Sequence, residues 1–158
     1  MKVYYLYRKQ ALALSADQAW QFFSSPHHLN RITPDFFHVD IASPVPDDIY
    51  GGLLICYRMR AVFSWPMVWL SEISHCDKPR RFVYQQKVGP FAFWSHEVAI
   101  NEAAGGVEVE DIVFYAMPWG WFGRLMHGLL IGSKLRQIFD TRRDYLERHW
   151  GVAAAEPR

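Results

Sequence analysis

The chain has 158 residues, 17 lysines and arginines against 16 aspartates and glutamates, and a formal charge of +1. That balance supplies no global pull toward nucleic acid or an anionic membrane, so neither is expected as a partner on the ground of charge. A content of 51% hydrophobic and 21% charged residues is that of a folded globular protein, while the aromatic share of 16% is more than a solidly packed core needs and points to a lined cavity.

The first stretch, VYYLYRKQALAL (residues 3–14), is aromatic and aliphatic and predicts a strand. SADQAWQFFSSP follows, with Ser15 as N-cap, Ala19, Trp20, Phe22 and Phe23 as an apolar face, and Pro26 as a stop, which predicts a short helix. HHLNRIT before Pro34 predicts a second helical turn, so the pair forms a helix-loop-helix. Strand-like runs then succeed one another at about 35–43, 53–63, 67–76, 81–88, 91–101 and 107–117, separated by turn signals. Short connections at that spacing argue for an antiparallel meander.

From Pro118 to Trp150 the pattern changes to helical spacing, with Phe122, Leu125, Met126, Leu129, Leu130, Leu135, Ile138, Phe139, Tyr145 and Leu146 on the apolar side. Arg136, Arg142, Arg143 and Glu147 are assigned to the polar side, and a bend is expected near Gly128 or Gly132. The apolar stretch MPWGWFGRLMHGLLIGSKL is interrupted by Arg124, His127 and Lys134, short of the roughly 20 residues a membrane span requires. Residues 1–150 read as one domain, and the tail 151–158, GVAAAEPR, is expected to be disordered.

Cys56 and Cys76 have neither metal-ligand spacing nor a disulfide framework and read as reduced thiols. The apolar run Val3 to Tyr7 is shorter than a signal peptide needs, so the cytoplasm is the expected location. This order of elements predicts an α+β fold: a curved antiparallel sheet with one long helix across its concave face, leaving a space between them.

Alternation assigns the inward residues. Arg58 and Arg60 face out, which turns Leu53, Ile55, Tyr57 and Met59 inward; Glu108 and Glu110 face out, which turns Val107, Val109, Asp111, Val113, Tyr115 and Met117 inward. On 92–100 the inward set is Trp94, His96, Val98 and Ile100, and on the preceding strand Phe82, Tyr84 and Gln86. A four-residue hairpin loop at 102–105 sets His96 directly opposite Asp111, close enough for an imidazole N–H to reach the carboxylate. Gln86 is placed beside them. A satisfied histidine–aspartate pair serves structure as well as chemistry, and Tyr57, Trp69, Trp94 and Tyr115 serve a solid core as well as a cavity wall. His27 and His28 read as a solvated helix start without a metal role, and no nucleophile motif, Gly-rich phosphate loop or paired carboxylates stand out.

The segments AWQFFSSPHHLNRITP, GGLLICYRM, WLSEIS, RRFVYQQKVGPFAFWSHEVAI, EDIVFYAMPWGWFG and IFDTRRDYL resemble the START-like (SRPBCC) superfamily. The likeness leans to its bacterial branch of small ligand-binding proteins, related to polyketide cyclases and coenzyme Q-binding proteins, and runs from about residue 3 to 147. The pattern falls on Gln86, Gly89, Pro90, Phe91, Trp94, His96, Asp111, Val113, Tyr115 and Pro118. The resemblance implies a helix-grip fold, in which a seven-stranded antiparallel sheet grips the C-terminal helix around an apolar cavity. Relatives often carry a second histidine two residues after the first, where this chain has Val98, which counts against any activity or metal site needing both.

Three functions follow as expectations. The first is binding of a hydrophobic small molecule, lipid-, quinone- or polyketide-like, walled by Tyr57, Trp69, Trp94, Val113 and Tyr115 and oriented by Gln86, His96 and Asp111, without cofactor or metal. The second is a cyclase or dehydratase with His96 as base, Asp111 fixing its tautomer and Tyr57 or Tyr115 polarising a carbonyl. The third is transient contact with a membrane surface or a protein partner near Trp121, set against a reading of Trp119, Trp121 and Phe122 as a lid.

Overall fold

The computed structural model describes residues 1–60 and 65–153. Strand β1 spans Val3–Leu12, helix α1 Ala16–Phe23, and a 3-10 helix Pro26–Arg31. Strands β2 (Val39–Ile41), β3 (Leu54–Arg60), β4 (Pro66–Asp77), β5 (Arg81–Val88), β6 (Phe93–Ala103) and β7 (Gly106–Ala116) follow. Helix α2 (Gly120–Met126), a π-helical turn (His127–Ile131) and helix α3 (Gly132–Trp150) close the chain. The seven strands form one antiparallel sheet in the order β1-β7-β6-β5-β4-β3-β2, so a continuous meander from β2 to β7 is completed when the first strand pairs with the last. The architecture is the α+β arrangement expected: a curved seven-stranded antiparallel sheet with a long C-terminal helix.

Local chemistry explains the elements. Ser15 caps α1 reciprocally: its hydroxyl accepts from the Gln18 backbone N–H, and the Gln18 side chain accepts from the Ser15 N–H. Pro26, expected to stop this helix, also opens the 3-10 helix, where its missing N–H costs nothing. Two register shifts in β4, at Leu70/Ser71 and Ile73/His75, are of the kind that bends a strand and raises local twist.

The inward sets follow the expected alternation, with Ile55, Tyr57 and Met59 of β3, Trp94, His96, Val98 and Ile100 of β6, and Val107, Val109, Asp111, Val113 and Tyr115 of β7 all buried. On α3 the buried residues Gly132, Leu135, Phe139, Arg142 and Leu146 recur at intervals of three and four, one stripe along the helix.

Three expectations are corrected. The strand expected at 35–43 contracts to Val39–Ile41, because the Phe37 N–H bonds back to the Pro34 carbonyl (2.8 Å) and turns the chain before it can pair. The hairpin between β6 and β7 closes over two residues, Ala104 and Gly105, not four, with Gly105 supplying the positive φ of 76° such a tight turn needs. Arg142, assigned to the polar side of the last helix, is 8% exposed and lies in its buried stripe. At Gly128 and Gly132, where a bend is expected, a π-helical turn separates α2 from α3. Residues 61–63 of the expected third strand and 154–158 of the expected tail lie outside the described residues, and among the described residues no helix is long and apolar enough to cross a membrane.

Candidate functional site

The concave face of the sheet and the buried stripe of α3 enclose a cavity of about 300 Å3. This is at the lower end of the roughly 300–1,000 Å3 typical of small-molecule sites. Its floor is laid by strand alternation: Ile55, Tyr57 and Met59 from β3, Trp69, Ser71 and Ile73 from β4, Phe82 and Tyr84 from β5, Trp94, His96 and Val98 from β6. Leu135, Ile138, Phe139 and Arg142 of α3 form the roof, and Phe22, Phe23, His28, Phe36 and Phe37 close one side. The walls are overwhelmingly apolar, which makes the few polar groups informative.

Three of them, Tyr84, His96 and Arg142, join Asp111 behind the wall in a chain of hydrogen bonds. Asp111, 7% exposed, accepts from the Nε2–H of His96 (2.8 Å) and from Nη2 of Arg142 (3.0 Å), both at Oδ1. An ionised carboxylate only accepts, so the His96 hydrogen sits on Nε2, and Nδ1 is left to accept the Tyr84 hydroxyl. Both ring nitrogens of His96 are therefore engaged. Phe139 packs on the His96 ring at 5.6 Å between centroids, and the Arg142 guanidinium lies over the Phe23 ring at 5.0 Å.

Burial is the largest influence on His96 and outweighs the attraction of Asp111, holding the ring below the usual histidine range and neutral. On Asp111 burial pushes upward, but the Arg142 charge and the His96 hydrogen bond together prevail and hold it below the usual carboxylate value. Burial raises the phenols of Tyr57 and Tyr84 far above the ordinary tyrosine value, so both stay protonated. One buried positive charge thus faces one buried negative charge, and the cluster as a whole is neutral.

His96 and Asp111 meet as expected, by a different route. The observed register pairs His96 with Val113 and Val98 with Asp111, so the two partners are diagonal neighbours on one face rather than directly opposed. A slip of two residues preserves the face, which is why the contact survives the shorter hairpin.

Of the expected wall residues, Tyr57, Trp69, Trp94 and His96 line the cavity. Asp111, Val113 and Tyr115 are buried but are not part of its lining. The Tyr115 hydroxyl instead lies 2.8 Å from Nε2 of His127, whose ring stacks on Tyr4 at 3.6 Å. Gln86 does not join the polar cluster: its amide grips both backbone groups of Phe91 (Nε2 to O, 2.8 Å; N to Oε1, 3.2 Å) and so fixes the turn that sets Pro90 and Phe91 against the cavity. His28, read as solvated, stacks on Phe22 and donates from Nδ1 to the Phe22 carbonyl at the cavity wall. Trp119 and Trp121 are 75% and 70% exposed, and neither they nor Phe122 touch the cavity, so they do not form its lid.

Two residues of the site escaped the sequence reading. Alternation turns Tyr84 inward without bringing it to the site, and residue type assigns Arg142 to the outside. The signal for Arg142 was present: it stands three residues after Phe139 and four before Leu146, inside the apolar period.

No protein-family model matches this chain, and no curated protein matches it. Solved structures do share its fold. Major latex-like protein 151 from Panax ginseng is 14% identical, with a TM-score of 0.66 over 94% of this chain and 97% of that one. TTHA0849 from Thermus thermophilus is also 14% identical, with a TM-score of 0.65 over 93% of this chain and 98% of that one. The di-domain ARO/CYC StfQ of the steffimycin biosynthetic pathway is 11% identical, with a TM-score of 0.63; the match covers 95% of this chain and 53% of that longer one. Likeness at these identities establishes the common helix-grip fold.

Proposed function

We propose that residues 1–150 form one domain that binds a hydrophobic small molecule, lipid-, quinone- or polyketide-like, between sheet and C-terminal helix. The observation that carries this reading is the largely apolar cavity of about 300 Å3 with a buried neutral polar cluster at its wall. Such a site rewards apolar surface and uses a few polar groups to orient it. The fold shared with an aromatase/cyclase supports a ligand of that general kind. In the alternative, an enzyme with His96 as base, the ring would need an unpaired nitrogen, and both are engaged. The engaged ring favours an orienting role over proton abstraction.

Native mass spectrometry of protein purified without detergent, followed by solvent extraction, is expected to show a noncovalent apolar molecule at one per chain. Ile138→Trp, which fills the cavity from the roof, is expected to lower its occupancy at least tenfold while leaving stability within about 1 kcal/mol, since Ile138 is only partly buried. Full occupancy in that variant would put the molecule elsewhere, and a clean apo mass for the unaltered chain would sink tight carriage.

A second reading, contact with a membrane surface, is favoured by the segment after β7. Trp119, Trp121, Phe122, Leu125 and Leu129 are all exposed, and Trp119 holds a left-handed backbone (φ 60°) that costs a non-glycine residue roughly 1–2 kcal/mol. Residues 112–139 contain no aspartate or glutamate but include Arg124, Lys134 and Arg136, a local charge that suits anionic headgroups although the chain as a whole is near neutral. Flotation with anionic vesicles is expected to recover the protein and to lose it severalfold in Trp121→Ala; unchanged recovery would rule the segment out.

A further inference from the structure

The polar groups around the cavity are unevenly matched. Trp94, 7% exposed, and Arg142, 8% exposed, both line it, and each carries a buried N–H, Nε1 and Nε, that has no acceptor among the described residues. Ser71, 3% exposed and also in the lining, accepts from the Trp69 indole (2.9 Å), and its own hydroxyl hydrogen has no acceptor among the described residues. Across the sheet Ser71 pairs with Gln86, and continuing the register of β5 with β6 brings Trp94 to the far side of Gln86, so Ser71 and Trp94 belong to one cross-strand row of the floor. The adjoining row holds Ile73, Tyr84 and His96.

A buried donor without a partner is costly, and the excess at this wall is of donors. Accepting capacity at the wall belongs to hydroxyl oxygens such as those of Tyr84, Tyr57 and Ser71, and none of them meets the Trp94 or Arg142 N–H. What would complete the wall is a hydrogen-bond acceptor brought by the ligand. Its charge is constrained as well. At the wall where these donors lie, Arg142 is already neutralised by Asp111 and His96 is neutral, so an ionised carboxylate brought to them would lose its hydration without meeting a net positive charge; the Lys134 ammonium also borders the cavity, half-buried and drawn over the Phe36 ring rather than into this wall.

We infer that the cavity selects an uncharged apolar molecule bearing a carbonyl-type acceptor, as in a ketone, quinone or lactone, held by the Trp94 indole N–H and the Arg142 Nε–H, and that it discriminates against the corresponding carboxylate. This rests on the reading that the cavity binds hydrophobic molecules, and it adds a selection that apolar walls alone would not make.

Three probes of similar length separate the two ideas: decyl methyl ketone, dodecane and dodecanoate, titrated near pH 7 into the full chain labelled with nitrogen-15 in its tryptophans. The ketone is expected to bind at least tenfold tighter than dodecanoate and to move the Trp94 indole N–H resonance downfield, that resonance being assigned by its loss in Trp94→Phe. Dodecane is expected to bind without moving it. In Trp94→Phe, ketone affinity is expected to fall about fivefold to tenfold while that of dodecane holds. Dodecanoate binding as tightly as the ketone, or a bound ketone that leaves the Trp94 resonance in place, overturns the inference and leaves cavity binding standing. Failure of both ketone and dodecane to bind overturns the cavity reading itself, and the inference with it.

Discussion

Asp111→Leu is expected to lower folding stability by about 3–5 kcal/mol, the cost of leaving a buried charge without its partner. Among the described residues the carboxylate is the one group that holds both the His96 Nε2–H and the Arg142 guanidinium, and all three residues are buried. Replacing the whole cluster, with Asp111→Leu, His96→Leu and Arg142→Met together, is expected to recover at least half of that loss, because apolar groups of similar volume need no partners. Urea unfolding of the single and triple variants makes the comparison. A single variant within about 1 kcal/mol of the parent would mean that His96 and Arg142 reach water when Asp111 is gone, and that the cluster is not sealed. The single variant measures orphaned polarity and the triple measures packing, so the pair separates the two roles of the cluster.

Acidification is expected to destabilise the protein before any carboxylate is protonated in the unfolded chain. The folded state holds His96 below its ordinary value, so as the pH falls through about 6.5 the unfolded chain takes up a proton that the native ring refuses. More protons on the unfolded side means stability rises with pH, at most by about 1.4 kcal/mol per unit for one such group. Asp111 acts in the same direction lower down: its depressed value contributes stability above about pH 4 that is lost as the pH falls through the folded value. His127, also depressed by burial first and by Lys2 and Arg136 next, adds to the histidine step with the same sign. Urea midpoints between pH 7.5 and 5.5 are expected to decline in the parent, and His96→Gln and His127→Gln are each expected to flatten part of that decline. A midpoint independent of pH over this window would show that His96 protonates as readily folded as unfolded, contrary to a sealed site.

The sequence was most legible where burial follows a period. Glu108 and Glu110, or Arg58 and Arg60, mark one face of a strand as wet, and the residues between them are then inward whatever the neighbouring strand is doing. That is why Tyr57, Trp94, His96 and Asp111 could be turned inward without knowing the pairing. Charge misleads where a polar residue lies in an apolar stripe: residue type assigns Arg142 outward, although its position in the period is inward. Gln86 misled in the opposite way, since it does lie on the inward face but spends its amide on the backbone of Phe91.

Alternation, turn chemistry and helical spacing are properties of neighbours along the chain, and they sufficed to determine the order of elements, the antiparallel meander, the long terminal helix and the face on which each candidate residue lies. Tertiary structure alone decided what those faces meet. Hairpin closure over two residues rather than four rests on the local fit of Gly105, yet its effect is to set which residues of β6 and β7 are diagonal neighbours. The joining of Arg142 to Asp111 spans the gap between helix and sheet, and the cavity is the volume left where α3 and the curved sheet do not touch. Neither is encoded in any one segment, because packing distances and a carboxylate's choice of partners depend on how separately specified elements come together in space.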